Sequence, residues 1–237
     1  MKKILFIIII PSFILAFCSK KSVPEASSLL GLDYYPTTKG KYVVYDVDSV
    51  IYTDLTKDTI EYKYRIKEKI ADSFTDNQGQ PAIRLERYIK KYNPQKSYDS
   101  IPWTIKEVWM LNASEKSIQL QEGNVRYTKM VFPIKENESW NGNALNNLGE
   151  AIYRIEYFGR NEIINKVNVA DVLLVNQKEY RTQISYEKQV EKFAKGVGLV
   201  YKEITYLLSN SINSKPVEAR IENGFIYKLS FNSIGYE

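Results

Sequence analysis

Alternation of apolar and polar residues with a period of two recurs in short segments along most of this 237-residue chain. In TIEYKYRIKEKI, residues 59–70, one face carries Ile60, Tyr62, Tyr64, Ile66 and Ile70, and the other face carries the charged side chains at positions 61, 63, 65, 67 and 69. Less regular alternation begins at residues 41, 82, 103, 124, 151, 169, 180, 198, 217 and 225. Because successive side chains of a strand point to opposite faces, each segment is predicted to be a β-strand with one buried face.

Turn signals separate these segments. DNQGQP at 76–81 and Asn223-Gly224 each lie between alternating runs and predict hairpins, so neighbouring strands should be antiparallel. SYEKQVEKFAK at 185–195 fits a strand, and its apolar residues could also line a helix; the strand is favoured. About ten strands without intervening helices predict an all-β fold, either an antiparallel sandwich or an open barrel.

Two glycine and proline motifs predict local backbone features. Gly196 and Gly198 flank Val197, which indicates a bulge or a close backbone approach, since the strand-like residues that follow do not suit a phosphate-binding loop. YYPTTKGKY and VFPIKENESW both pair an aromatic residue with a proline, and we interpret them as two corners between a strand and a turn.

The first 17 residues resemble an export signal. Lys2 and Lys3 precede an apolar run, Ile4–Phe17. The uncharged stretch of 16 residues that ends at Ser19 is shorter than the roughly 20 needed to cross a membrane, and Pro11 would kink it. Cleavage after export is therefore favoured over a permanent membrane span.

Leu15-Ala16-Phe17-Cys18 resembles the lipobox of bacterial lipoproteins. That resemblance implies that Cys18 is lipidated, becomes the new N-terminus and anchors the protein in a membrane. The alternative is a free cysteine that ends an ordinary signal peptide. The predicted organisation is a signal peptide at 1–17, a lipidated tether at 18–33 and a single β domain at 34–237. The neutral Ser19 favours the outer membrane as destination.

Composition excludes several functions. The chain has one cysteine and no histidine, so a Ser-His-Asp triad, a Cys-His pair and an ordinary zinc site cannot be assembled. Removal of residues 1–17, which carry two lysines and no acid, lowers the net charge from +5 to +3. Charges alternate in sign along the chain, so nucleic acid is not an expected partner. We expect no cofactor, no metal and no catalytic residue of these classes.

Paired acids are the remaining candidates for catalysis or calcium binding. Asp46 and Asp48 lie two apart on one strand face, close enough to share an ion, although a solvated face is favoured because the residues between and beside them are apolar. Glu136 and Glu138 fit a surface turn. Asp72, Asp76 and Asn77 lack the spacing of a calcium loop and also fit a turn.

Aromatic residues are abundant, with 19 tyrosines and three tryptophans. Trp103 and Trp109 are six residues apart and are expected on the same face, in the core. Trp140 lies instead in the polar interval KENESWNGNALNNLGE. It is either a side chain that closes one end of the sheet or a binding contact.

Three blocks carry a resemblance to a group of uncharacterised bacterial envelope lipoproteins: YYPTTKGKYVVYDVDS, VFPIKENESWNGN and FAKGVGLVYKE. The resemblance implies a lipid-anchored, β-rich domain of unassigned activity. We therefore expect a non-catalytic binding or assembly module of the cell envelope, whose ligand is a protein, a glycan or a lipid. The alternatives are a structural or accessory partner of another envelope protein and, less favoured, a carboxylate-dependent glycan hydrolase.

Overall fold

The computed structural model describes residues 29–54 and 58–237. The predicted signal peptide, Cys18 and most of the predicted tether lie outside the described residues. Twelve strands of the described chain form one antiparallel sheet. In chain order they are β1 (Lys41–Tyr52), β2 (Thr59–Thr75), β3 (Pro81–Lys91), β4 (Thr104–Ala113), β5 (Ser117–Glu122), β6 (Val125–Val131), β7 (Ser139–Asn141), β8 (Ile152–Ile164), β9 (Val167–Arg181), β10 (Ser185–Ala194), β11 (Gly198–Leu208) and β12 (Asn223–Tyr236).

The order of strands across the sheet is β6-β5-β4-β3-β2-β1-β12-β11-β10-β9-β8-β7. The two terminal strands meet, because the Thr128 amide donates to the Gly142 carbonyl at 2.9 Å. The Asn146 side-chain amide also donates to the Arg126 carbonyl at 2.9 Å. These bonds curl the sheet into a nearly closed barrel, so most inward-facing side chains share one interior.

The predicted all-β class is confirmed, as a barrel-shaped sheet with more strands than the ten expected. The additional strands are β5 and β7. β5 alternates only at Ile118 and Leu120, and β7 has three residues, so neither gives a strong period of its own. The segment from Tyr180 was predicted as one strand and is two, because the Thr182 hydroxyl accepts from the Ser185 amide at 2.9 Å and closes a turn.

The hairpin turn predicted at Asn223-Gly224 is wrong. These residues begin β12, and Asn223 pairs with Leu208 at the end of β11. The predicted strand from Val217 is a 3₁₀ helix, Val217–Ala219, within the long connection. Arg220 fixes this connection, since its guanidinium donates to the Lys215 carbonyl at 2.9 Å. Neighbouring strands are antiparallel as predicted, but β12 pairs with β11 and not with a strand that begins at Val217.

The other turn predictions are confirmed. In DNQGQP the Asp76 amide donates to the Gln80 carbonyl at 2.9 Å, between β2 and β3. Segment 185–195 is the strand β10, which ends at Ala194. Gly196 lies in the β10–β11 hairpin turn and Gly198 is the first residue of β11, while the irregularity in the pairing of these strands lies between Lys192 and Phe193. The Gly196 amide donates to the Asp33 carbonyl at 2.8 Å. The close backbone approach expected there is present.

The N-terminal described segment closes one end of the barrel. Its 3₁₀ helix, Leu32–Tyr34, buries Tyr34 to 1% exposure. The Leu30 carbonyl accepts from the Ile134 amide at 3.0 Å, which brings the two aromatic-proline corners together. Residues 29–33 of the predicted tether thus lie against the barrel.

Candidate functional site

A cavity of about 410 Å³ lies inside the barrel. Small-molecule sites in proteins occupy a similar range of volumes. Its wall draws on strands from both halves of the sheet and on the N-terminal segment. The lining residues are Tyr35, Ser49, Ile51, Glu68, Arg87, Trp109, Leu120, Glu122, Lys129, Glu191, Phe193, Leu199, Lys202, Ile204, Phe225, Tyr227 and Leu229.

The floor of the cavity is formed by aromatic and aliphatic side chains near the N-terminal segment. The Tyr35 ring packs on the buried Phe193 ring with centroids 5.8 Å apart. Beside them, the Tyr45 hydroxyl donates to the Leu199 carbonyl at 3.1 Å. Burial raises the pKa of both Tyr35 and Tyr45 well above 10, so both phenols remain neutral. The cavity is therefore closed at this end by uncharged groups.

The mouth lies at the opposite end, where β1 ends and β12 begins. Four side chains form a row across neighbouring strands, in the register Ile60, Ile51, Phe225 and Tyr206. Ile60 is 44% exposed and Phe225 is 37% exposed, although both lie on the interior face of the sheet. Tyr62, two residues after Ile60, is also exposed. The mouth thus has an apolar rim, and contiguous exposed apolar surface commonly marks an interaction site.

One wall of the cavity carries a buried cluster of two acids and two lysines. Lys129 Nζ lies 2.6 Å from Glu191 Oε1, and Lys202 Nζ lies 3.1 Å from the same oxygen. Glu122 completes the cluster at 3.4 Å from Lys129 Nζ. The Glu191 side chain is only 2% exposed. Charges buried this deeply persist only when they are paired, as they are here.

Glu191 is the focus of this cluster. Burial alone would raise the pKa of its carboxyl group, but Lys129 and Lys202 outweigh burial and hold the pKa at about 2. The same pairing raises the pKa of Lys129 above its ordinary value. Both lysines bond to Oε1, while Oε2 is buried and has no hydrogen-bond donor among the described residues. Glu191 Oε2 is therefore an unused acceptor that is enclosed by protein atoms.

A second set of charges lies on the wall formed by β2, β3 and β4. Arg87 Nε lies 2.8 Å from Glu68 Oε1, and the Arg87 guanidinium also pairs with Glu107. The guanidinium lies 3.8 Å from the centroid of the Trp109 ring, as in a cation–π contact. Arg87 is therefore fully engaged and positions the Trp109 ring at the cavity wall.

The remaining wall is apolar, and its members are Ile51, Leu120, Phe193, Leu199, Ile204, Phe225 and Leu229. A cavity with apolar walls and a few fixed polar groups is the usual construction of a small-molecule site. A general acid in glycan hydrolysis needs a carboxyl group with a raised pKa, whereas the pKa of Glu191 is lowered.

Trp140, the candidate binding contact predicted from the sequence, does not line this cavity. Its indole Nε1 donates to the Thr128 carbonyl at 2.8 Å, which joins β7 to β6. The ring meets Tyr153 edge-on, with centroids 6.0 Å apart. These contacts give Trp140 a packing role where the terminal strands β6 and β7 meet. Its role as a binding contact stays a prediction.

Trp103 and Trp109 were expected on the same face, and this prediction is wrong. Trp109 lines the cavity, whereas the Lys67 ammonium lies 5.5 Å from the Trp103 ring. Lys67 and its neighbour Glu68 point to opposite faces of β2, so Trp103 is on the outside. The cause is an irregularity in the pairing of β3 with β4 beside Arg87, which reverses the alternation between the two tryptophans.

The acidic candidates do not form a site. Asp46 accepts from Arg65 Nε at 2.7 Å and from the Asn165 and Asn232 amides, while Asp48 is exposed. Burial opposes ionisation of Asp46, but these bonds outweigh it and lower its pKa. Asp76 caps its turn by accepting from the Gln78 and Gln80 amides, both at 2.9 Å. Glu136 and Glu138 lie at a turn, and the described residues contain no group of three potential metal ligands.

The charged residues of the cavity were missed by sequence analysis. Glu68 shares a strand face with Ile66 and Ile70, so an acid interrupts an otherwise apolar alternation. Arg87 interrupts the face of Leu85 and Ile89 in the same way. A charge in register with a buried apolar face is the signal that could have identified them, although it does not reveal which charges are paired.

Comparison with known proteins gives little further information. No protein-family model matches the chain, and no curated protein matches it. The chain is similar to a crystal structure of a "putative lipoprotein" from Parabacteroides distasonis, with 10% identity and a TM-score of 0.37. The similarity covers 85% of this chain and 98% of the other. At this TM-score the two folds are not shown to be the same. Within the described residues, no helix has the length and apolar character to span a membrane.

Proposed function

We propose that this protein is a lipid-anchored component of the bacterial envelope whose β domain binds a small amphipathic molecule without transforming it. The cavity carries this proposal. It combines a volume of about 410 Å³, an apolar wall and rim, and a few charged groups that are fixed by pairing with one another. These features match the general construction of ligand sites in barrels, which bind at the mouth or in the interior.

The binding role is favoured over docking of a partner at a free sheet edge. Strand addition requires an unpaired edge. The terminal strands β6 and β7 bond to each other through Thr128, Gly142 and Trp140. That arrangement leaves the interior, rather than the edge, as the best-defined surface for a partner molecule.

Binding can be tested by titration with N-phenyl-1-naphthylamine, an uncharged dye that fluoresces in apolar sites. We expect saturable binding of one dye per protein. Ile204→Trp should abolish it, because Ile204 lines the cavity and the larger ring fills the space. Ile105→Trp is the matched control, since Ile105 is 57% exposed and is not part of the lining. Circular dichroism must show that both variants are folded. Equal binding of the dye by the two variants would then contradict a site in the cavity.

The anchor is proposed from the sequence Leu15-Ala16-Phe17-Cys18. Lipidation with two or more acyl chains holds a protein firmly, since each buried methylene contributes about 0.8 kcal/mol. Cys18→Ala should abolish incorporation of radioactive fatty acid and release the protein from the membrane fraction. Unchanged labelling of this variant would exclude Cys18 as the acylated residue. Separation of inner from outer membranes tests the outer-membrane destination.

A further inference from the structure

The charged side chains of the cavity wall pair with one another. The lining includes three acids, Glu68, Glu122 and Glu191, and three bases, Arg87, Lys129 and Lys202. Each base pairs with at least one of these acids. The described lining residues therefore leave no free charge for an ionic ligand group. Such a group would lose its hydration in the interior without gaining a partner of opposite charge.

The uncharged polar groups of the lining do not offer a site for a charged group either. Burial raises the pKa of Tyr35 and Tyr227, so both phenols stay neutral. Two polar atoms, Glu191 Oε2 and Trp109 Nε1, have no hydrogen-bond partner among the described residues, but protein atoms enclose both of them. Neither atom is therefore open to a molecule in the cavity. The open surface is mainly apolar, with Ser49 as the remaining uncharged polar side chain of the lining.

The cavity is long and narrow. Its lining runs along β12 from Phe225 to Leu229 and along β11 from Leu199 to Ile204. At about 3.3 Å per residue, these stretches are about 13 and about 16 Å long. A volume of about 410 Å³ over such a length gives a mean cross-section of about 30 Å². Because apolar atoms pack about 4 Å apart, one hydrocarbon chain needs roughly 20 Å² and two chains need roughly 40 Å². The cavity therefore has room for one chain.

We propose that the cavity binds the hydrocarbon chain of a single-chain amphiphile and leaves the head group in water at the mouth. This inference rests on the proposed binding function. The chain enters tail first, because Tyr35 and Phe193 close the opposite end of the cavity. The exposed rim residues Ile60 and Phe225 contact the methylenes nearest the head group. At roughly 30 Å³ per heavy atom, the volume of a water molecule in the liquid, the cavity accommodates on the order of 14 carbons. The protein therefore selects its ligand by the chain and not by the head group.

The first test varies the length of the chain. Alkyltrimethylammonium ions with eight to eighteen carbons, each below its critical micelle concentration, compete with N-phenyl-1-naphthylamine for the purified protein at pH 7. We expect the affinity to rise about fourfold with each added methylene, because each one is transferred from water to an apolar wall. The rise should stop at about 14 carbons, since further methylenes stay in water.

The second test keeps a ten-carbon chain and changes the rest of the molecule. Decyl sulfate, decyltrimethylammonium and decyl maltoside carry a negative charge, a positive charge and no charge. Their affinities should agree within about fivefold, because charges that stay in water at a protein surface interact weakly. Didecyldimethylammonium, which has two chains, should compete no more than about twofold better than decyltrimethylammonium, because the second chain buries no further surface.

The outcomes separate this inference from the function on which it rests. If the dye binds but the affinity is independent of chain length, or still rises at eighteen carbons, the single-chain assignment is wrong and the binding function stands. The same conclusion follows if one head group is preferred by more than about fivefold, if the two-chain compound competes far better, or if no compound displaces the dye. If the dye itself does not bind, both the function and the ligand class are overturned.

Discussion

The substitution Glu191→Gln should destabilise the protein far more than the loss of an ordinary ion pair. Glu191 is the shared partner of Lys129 and Lys202 and is almost completely buried. Glutamine keeps the shape of the side chain and one carbonyl acceptor. It removes the negative charge, however, and leaves two lysine charges in the interior with Glu122 as their remaining partner.

The expected magnitude follows from two independent considerations. A carboxyl group whose pKa falls to about 2 in the folded protein gains about 3 kcal/mol for its ionised form over the unfolded chain. Removal of one member of a buried ion pair typically costs 3–5 kcal/mol, because the other charge is left uncompensated. We therefore expect the free energy of unfolding to fall by about 3 kcal/mol at pH 7.

Urea unfolding followed by tryptophan fluorescence measures this difference. Glu218→Gln is the matched control, because Glu218 pairs with Arg181 at 2.6 Å on the surface, with its side chain 39% exposed. Surface pairs contribute about 1 kcal/mol or less. If Glu191→Gln lowers the free energy of unfolding by no more than Glu218→Gln does, the claim that the cluster is a tightly coupled, buried network is refuted.

The same pair of proteins gives a pH test. The pKa of Glu191 is lower in the folded state than in the unfolded state, so its contribution is present above about pH 4.5 and is lost as the pH falls towards 2. The difference in stability between wild type and Glu191→Gln should therefore shrink over this acidic window. A constant difference from pH 5 to pH 2 would contradict the assigned protonation.

Three further predictions concern other parts of the barrel. Trp140→Ala should lower the free energy of unfolding, measured in urea, by about 3 kcal/mol, because it removes the ring that packs on Tyr153 and the hydrogen bond to Thr128. A decrease below about 1 kcal/mol would contradict the packing role of Trp140. Burial lowers the pKa of Lys41 to about 8, so the unfolded chain binds more protons between about pH 8 and 10.5. Lys41→Met removes this buried charge and also the hydrogen bond that the Lys41 ammonium donates to the Gly196 carbonyl, which contributes about 1 kcal/mol. The free energy of unfolding should therefore rise by about 2 kcal/mol at pH 7, with the gain vanishing towards pH 10.5, and a pH-independent effect would refute this. Gly224→Ala should cost at least about 2 kcal/mol in thermal melts, because φ is 129° and the new Cβ would collide with the Tyr206 carbonyl; an unchanged melting temperature would contradict the backbone assignment.

The fold was largely predictable from local patterns. Period-two alternation identified most of the strands, and the face of β2 that carries Ile66 and Ile70 is buried as predicted. Ile60 and Tyr62 continue that face but are exposed, because they reach past the end of the barrel at the mouth. Alternation predicts which residues share a face of a strand. It does not predict where along the strand the barrel ends, because that position depends on how the twelve strands are staggered against one another. The Asn223-Gly224 prediction failed for a related reason, since a local turn signal does not exclude a longer connection.

The site was not predictable in the same way. Its key contacts join residues distant in the chain, such as Lys129 and Glu191, which are 62 residues apart. Each of these residues is unremarkable in its own segment. The strand irregularity that moves Trp109 into the cavity and Trp103 to the outside also depends on pairing between strands. Sequence analysis therefore directed attention to Trp140, the aromatic residue with the most unusual neighbours, rather than to the charged interior.

Diffraction from crystals grown with 12-bromododecan-1-ol tests the central claim most directly, because the anomalous signal of bromine locates the ligand without reference to any activity. We predict one bromine peak within the cavity bounded by Ile51, Ile204 and Phe225. A bromine peak confined to the outer surface of the barrel, or an interior without a peak, would contradict the assignment of this cavity as the binding site.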